Sequence, residues 1–95
     1  MTLFALLYRF PEDSRARLAV RPDHRGYLED LAKRGEVVAA GPFHDDPGAL
    51  IIYDVDDEQQ LERLLVDDPY VQHDVFGTRS LHEWRPFIAG DLSAD

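Results

Sequence analysis

The sequence contains no cysteine, and only ten of its 95 residues are lysine or arginine, against nineteen aspartates and glutamates. The lack of cysteine excludes a disulfide framework, a thiolate nucleophile and a cysteine-ligated zinc site, and it fits a cytoplasmic protein. The formal net charge of −9 would repel nucleic acids and anionic membranes, because both are bound through clusters of lysine and arginine. We therefore expect neither a nucleic acid nor a membrane as a partner.

Long hydrophobic runs are also missing. The longest run near the start, Leu3–Tyr8, is too short to span a membrane and lacks the flanks of a signal peptide. A chain of 95 residues has room for one domain with a small core. We expect one domain over residues 1–88 and a polar tail over residues 89–95.

The hydrophobic pattern predicts six elements in the order β-α-β-β-α-β. Pro22 suits the first turn of a helix that ends before Gly35. Asp56 and Gln59 have the spacing of a capping box at the start of the second helix. Residues 12–20 fit either a polar loop or a short helical turn. The predicted strands cover residues 3–8, 37–40, 49–53 and 75–84, with Gly77 as a bulge in the last, and the helices cover residues 21–34 and 57–67.

With right-handed crossovers, this order predicts a ferredoxin-like α+β fold, in which two helices cover one face of a four-stranded antiparallel sheet. The first and third strands, Leu3–Tyr8 and Ala49–Tyr53, are apolar at every position. A sheet face in contact with water should instead alternate with polar residues. We therefore expect a homodimer in which two sheets pack face to face. The alternative is a monomer with a modestly apolar open face.

The same topology brings distant polar residues to one end of the sheet. His24 precedes Leu28 and Leu31 by four and seven residues, so it lies on the apolar stripe of the first helix. Asp68 follows Leu64 by four and continues the stripe of the second helix. The two side chains are predicted to form a pair that moves a proton. The substrate-binding residues that we expect at this end are Tyr8, Arg9, Arg21, Gly41, Pro42 and Tyr70.

Other interpretations of these residues stay open. A histidine on an apolar stripe is often a core residue, and an aspartate before proline is often part of a turn. The start of the first helix would disfavour a charge on His24, whereas Asp68 would favour it. His24, His44, Asp45 and Asp68 form only a weak candidate for metal binding because no ligand spacing supports it. We expect no metal and no other cofactor.

Three motifs resemble the YCII-like family over residues 2–86. They are Arg21-Pro22-Asp23-His24 at the start of a helix, Ala40-Gly41-Pro42 at the end of the second strand, and Asp68-Pro69-Tyr70 after the second helix. The resemblance implies a dimeric α+β barrel, related in shape to muconolactone isomerases and small cofactor-free monooxygenases. It also implies that the active-site histidine and aspartate are His24 and Asp68. One branch of the family is associated with dehydrochlorination of chlorinated aromatic compounds.

The chain departs from the family in two places. The connection over residues 41–49 is short, and residues 73–76 read His-Asp-Val-Phe where relatives often have Ala-Gly-Val before an aromatic residue. Both departures alter the rim of the pocket, so the substrate of relatives cannot be carried over.

The leading hypothesis is a cytoplasmic homodimer in which His24 acts as a general acid or base and Asp68 orients it. Arg9 or Arg21 would hold an anionic group, such as a carboxylate or phenolate, on a small polar or aromatic substrate. The reaction would be an elimination, isomerisation or tautomerisation. The alternatives are a non-catalytic ligand-binding or accessory dimer and a cofactor-free monooxygenase.

Overall fold

The computed structural model describes residues 2–10, 15–44, 47–88 and 90, and these residues form a four-stranded sheet with three helices. The elements are β1 (Thr2–Arg9), α1 (Arg15–Lys33), β2 (Val37–Pro42), β3 (Gly48–Val55), α2 (Glu58–Val66), α3 (Pro69–Gln72) and β4 (Arg79–Trp84). All neighbouring strands are antiparallel, in the order β2-β3-β1-β4. The predicted ferredoxin-like α+β fold is therefore confirmed. Except for Gly90, the predicted tail lies outside the described residues.

The core lies between the sheet and the helices. Along β1, Phe4, Leu6 and Tyr8 are buried, whereas Leu7 and Arg9 are exposed. This alternation follows from the two-residue period of a strand. In a single chain, the described helices cover the face of the sheet that carries Phe4, Leu6 and Tyr8, and the face of β1 that carries Leu7 and Arg9 is open.

Helix α1 begins at Arg15, earlier than the predicted start at Arg21, and contains Pro22 in its interior. Proline removes one backbone hydrogen bond and crowds the carbonyl four residues earlier, here that of Leu18. The helix continues because burial of its apolar stripe on the sheet outweighs this local cost. The open question about residues 12–20 is answered for residues 15–20, which are helical, while residues 11–14 lie outside the described part.

Helix α2 begins one residue later than predicted. The Asp57 side chain, rather than that of Asp56, accepts a hydrogen bond from the Gln60 backbone N–H at 2.8 Å. The Gln60 side chain in turn accepts from the backbone N–H of Asp56 at 2.8 Å. The predicted stop before Pro69 is confirmed, and a further short helix, α3, follows with Asp68 as its N-cap.

The last strand and the bulge also differ from the prediction. β4 begins at Arg79, and Gly77 lies before it, where its backbone N–H donates to the carbonyl of Arg9 at 3.0 Å. The register shift lies instead in β2, between Val37 and Ala39. A bulge bends its strand and redirects side chains. None of the described helices combines the length and the apolar character needed to cross a membrane.

Candidate active site

His24 and Asp68 meet inside the protein, as their helical stripes predicted. Nδ1 of His24 lies 2.7 Å from Oδ1 of Asp68, and the two residues are 4% and 0% exposed. The same Oδ1 accepts a hydrogen bond from the backbone N–H of Tyr70 at 2.9 Å. Because a carboxylate accepts both bonds, these partners assign the imidazole proton to Nδ1. The other ring nitrogen, Nε2, is then available for chemistry.

Two local structures hold this pair. His24 occupies the buried stripe of α1 together with Leu28 and Leu31, and Asp68 is fixed by its role as the N-cap of α3. Since α1 begins at Arg15, His24 lies in the middle of the helix. The expected effect of the helix start on His24 is therefore wrong, because the dipole acts mainly within the first and last turns.

The second carboxylate oxygen of Asp68, Oδ2, is buried and has no hydrogen-bond partner among the described residues. An unpaired buried polar group costs about 1–3 kcal/mol, and more if it is charged. Native proteins retain such costs mainly at functional or strained sites. The buried pair is therefore the candidate for the catalytic centre.

Aromatic rings enclose the imidazole of His24. The ring of Tyr70 stacks on it with a centroid separation of 3.7 Å and an interplanar angle of 5°, and the Phe76 ring stands at 90° to it, 6.5 Å away. The Tyr8 hydroxyl lies 3.5 Å from Nε2. Burial, followed by the proximity of Tyr70 and Asp68, raises the pKa of Tyr8 well above its ordinary value. Tyr8 is thus a neutral hydroxyl near neutral pH and can donate to Nε2.

A cavity of about 510 Å³ opens beside the pair, between α1 and β2. Its walls include most of the predicted site residues, namely Tyr8, Arg21, His24, Gly41, Pro42 and Tyr70. Arg9 does not line the cavity because it follows Tyr8 on β1 and takes the opposite face of the sheet. Asp68 contacts His24 but is itself too deeply buried to line the cavity.

Two arginines of the cavity wall were not among the site residues predicted from the sequence. Arg17 and Arg25 line the cavity on either side of Arg21. Their spacing of four residues would have indicated a shared helical face. For Arg17 this signal was lost because the helix is predicted to begin at Arg21, whereas Arg25 lies within the predicted helix and its spacing from Arg21 was overlooked.

Within the described residues, no three histidine, aspartate or glutamate side chains approach closely enough to hold a metal ion. Of the four residues in the weak metal candidate, Asp45 lies outside the described part of the chain. His24 and Asp68 instead contact each other through Nδ1 and Oδ1 at 2.7 Å.

Several solved structures share the fold. The 5-chloro-2-hydroxyhydroquinone dehydrochlorinase (TftG) from Burkholderia phenoliruptrix AC1100, solved with 2,5-dihydroxybenzoquinone, has a TM-score of 0.75 and 19% identity, over 87% of this chain and 93% of that chain. An antibiotic biosynthesis monooxygenase has a TM-score of 0.63 and 11% identity, over 93% and 100% of the two chains. PA3566 from Pseudomonas aeruginosa has a TM-score of 0.61 and 10% identity, over 92% of this chain and 95% of that chain. These similarities show a fold of the dimeric α+β barrel type.

No curated protein sequence is significantly similar to the chain. The family described as the YCII-related domain, however, matches residues 1–85. That range contains every described helix and strand, the cavity and both members of the His24–Asp68 pair. The chain therefore belongs to the YCII-related domain family.

Proposed function

We propose that this protein is a small-molecule enzyme in which His24 moves a proton to or from a substrate bound between α1 and β2. The observation that supports this proposal best is the 2.7 Å contact between Nδ1 of His24 and Oδ1 of Asp68 at the wall of the cavity. A histidine held in one tautomer by a carboxylate is a common arrangement for a general base.

Each residue around the cavity has a chemical role in this proposal. Nε2 of His24 takes a proton from the substrate, and the carboxylate of Asp68 stabilises the imidazolium that forms. Tyr8, a neutral hydroxyl 3.5 Å from Nε2, donates a hydrogen bond to a substrate oxygen beside the base. The flat face of Tyr70 against the imidazole keeps the ring from rotating away from the substrate.

The structural neighbour TftG supports a reaction class. It is a dehydrochlorinase, and its structure contains 2,5-dihydroxybenzoquinone. Dehydrochlorination removes a proton and a chloride from one molecule, so a base suffices and no redox partner is required. A cavity of about 510 Å³ is large enough for a substituted six-membered ring. We therefore propose elimination or isomerisation of a small polar or aromatic ring compound.

The direct test is chloride release from 5-chloro-2-hydroxyhydroquinone, the compound named for the neighbour. We expect the protein to accelerate release and His24→Gln to lower the rate about 100-fold or more, because the general base is lost. The matched control is His73→Gln, which changes an exposed histidine of the same chain and should leave the rate unchanged. Circular dichroism establishes that both variants are folded.

Three results would contradict this proposal. An equal rate in His24→Gln would remove the histidine from the chemistry. Binding of the ring compound without turnover would favour the non-catalytic alternative. Consumption of oxygen in proportion to product would favour a monooxygenase, an activity named for another protein of similar fold.

We also propose that two copies pack through the open face of the sheet. On that face Leu7 is 36% exposed and pairs in register with Leu50, while Trp84 is 45% exposed and pairs with Leu3. An apolar face of this kind is costly in water, and a second copy of the same face is its simplest cover. The barrel-type fold of the structural neighbours supports the same arrangement.

Light scattering of the purified protein tests the dimer. We expect the mass of two chains, and we expect Leu7→Glu to give the mass of one chain because it places a charge in the interface. Val66→Glu is the control, since Val66 is 64% exposed on α2, away from the sheet. A mass of one chain for the unmodified protein at micromolar concentration would contradict the dimer.

A further inference from the structure

We propose that the cavity binds a small organic acid, whose anionic group is held by Arg17, Arg21 and Arg25. This inference names the class of molecule that the same site binds. It rests on the proposed function only in treating that molecule as the substrate. It concerns a part of the cavity that the proton-transfer chemistry at His24 does not use.

The three arginines form one wall of the cavity. They are spaced by four residues along α1, so they lie in a row on one side of the helix, and all three line the cavity. The full chain has only ten lysines and arginines and a net charge of −9. Three of those ten cations at one cavity form a local positive surface against the overall charge of the protein.

This positive surface is not neutralised by the described part of the protein. Among the described residues, no carboxylate forms an ion pair with Arg17, Arg21 or Arg25, and Glu29 is the one acidic residue that lines the cavity. Three guanidinium groups against one carboxylate leave an excess of positive charge. A cavity with this excess favours a ligand that carries a negative group.

Arg17 has a fixed contact and an unpaired hydrogen-bond donor. Its guanidinium carbon lies 3.8 Å from the centroid of the Phe10 ring, and both residues line the cavity. Its Nε atom is buried without a hydrogen-bond partner among the described residues. A buried donor without an acceptor is costly, and a carboxylate oxygen is the acceptor that an arginine binds most strongly.

The positive field extends to the catalytic side of the cavity. Burial, Tyr70 and Asp68 raise the pKa of Tyr8, and the charges of Arg17 and Arg25 act in the opposite direction with a smaller effect. Arg17 and Arg25 therefore offset part of the negative potential of Asp68 at the Tyr8 hydroxyl, which lies 3.5 Å from Nε2 of His24. A ligand held by the arginine row would occupy the same cavity that His24 lines.

Apart from Glu29 and the side chains around His24, the rest of the described cavity lining is apolar. It includes Leu28, Val37, Ala40, Pro42 and Ala49, which offer contact surface but no hydrogen-bonding side chains. A volume of about 510 Å³ fits a ring of six atoms with a few substituents. The combination indicates an acid with a compact apolar body, such as an aromatic carboxylate.

Calorimetry with matched pairs of probes tests this inference. The probes are benzoate and 2,5-dihydroxybenzoate, each compared with its neutral amide, which has nearly the same shape. We expect at least one acid to bind about ten-fold or more tightly than its amide, because only the acid forms charge-assisted bonds with guanidinium groups. Arg25→Gln and Arg21→Gln should each remove most of this preference while leaving the affinity for the amide unchanged.

The matched control is Arg63→Gln, which removes the same charge from an exposed position on α2 and should keep the preference. If Arg17→Gln fails to fold because it loses the contact with Phe10, the Arg25→Gln variant still decides, since Arg25 is exposed at the edge of the cavity. Equal affinities for acid and amide in both pairs would overturn the inference, as would an unchanged preference in the arginine variants. Acid binding that depends on the arginines but gives no turnover would leave it standing and would contradict only the proposed catalysis.

Discussion

At the scale of single residues, Asp68 is the side chain on which the candidate site depends most. One oxygen, Oδ1, accepts hydrogen bonds both from Nδ1 of His24 at 2.7 Å and from the backbone N–H of Tyr70 at 2.9 Å. The first bond orients the imidazole, and the second begins α3. The position of the base and the local fold are therefore set by the same atom.

Asp68→Ala should lower the free energy of unfolding by about 3–5 kcal/mol, because it leaves the buried imidazole and the Tyr70 N–H without their acceptor. Urea denaturation measures this loss. Asp67→Ala removes the neighbouring carboxylate, which is exposed, and should change stability by no more than about 0.5 kcal/mol. Equal losses of unfolding free energy in the two variants would mean that the contact between His24 and Asp68 does not stabilise the fold.

The tautomer of His24 is a second observable at this scale. The contact with Asp68 predicts that neutral His24 carries its proton on Nδ1, so nitrogen NMR of the ring should identify Nε2 as the unprotonated atom. Tyr8→Phe should keep this tautomer, because the Tyr8 hydroxyl lies on the side of Nε2. A proton found on Nε2 in the neutral ring would contradict the proposed base.

At the scale of elements, a close approach of β1 and β3 fixes the position of Tyr8. Gly48 on β3 pairs with Arg9 on β1, and a Cβ atom at Gly48 would lie 2.5 Å from the carbonyl oxygen of Tyr8. Only glycine fits at that distance. Gly26, on α1, is the opposite case, because a Cβ atom there would meet nothing within 4 Å.

Alanine at these two glycines should have effects of opposite sign. Gly48→Ala should destabilise the protein by about 1–3 kcal/mol because the strands must separate. Gly26→Ala should stabilise it by about 0.5–1 kcal/mol because alanine is the better helix former. Thermal unfolding of both variants checks the signs, and a neutral Gly48→Ala would show that the two strands lie further apart.

The elements also show what could be predicted from sequence and what could not. The order of strands and helices and the inward positions of His24 and Asp68 follow from hydrophobic periods, which burial enforces locally. The first turns of α1 were missed because Pro22 has a strong intrinsic preference for a helix start, and only packing on the sheet overrides it. The bulge between Val37 and Ala39 depends on strand pairing, for which the sequence carries no local signal.

At the scale of the whole molecule, stability at high pH depends on buried tyrosines. Burial raises the pKa values of Tyr8 and Tyr53 well above their ordinary range, and that of Tyr27 to about 12. In the unfolded chain, the pKa of tyrosine is about 10. A folded pKa above the unfolded value contributes stability that is fully present below the unfolded pKa and is lost as pH rises toward the folded pKa.

We therefore expect the urea midpoint to stay nearly constant from neutral pH to about pH 9 and to fall steeply above about pH 10. Tyr53→Phe should make the fall shallower, because one phenol that resists ionisation in the folded protein has been removed. Absorbance near the phenolate band would follow the titration directly. Ionisation of every tyrosine near its ordinary pKa in a protein that remains folded would contradict the expectation.

The two bonds to one oxygen of Asp68 have a consequence for how this protein changes over evolutionary time. A lineage that no longer needed the chemistry would still be selected to keep Asp68, because α3 begins at that carboxylate. Among the described residues, the other contacts of His24 are the stacked ring of Tyr70 and the Tyr8 hydroxyl at 3.5 Å. Neither contact begins a helix, so we expect His24 to be substituted before Asp68. Among descendants, we would then expect the aspartate wherever the fold is kept, and the histidine only where the chemistry is still used.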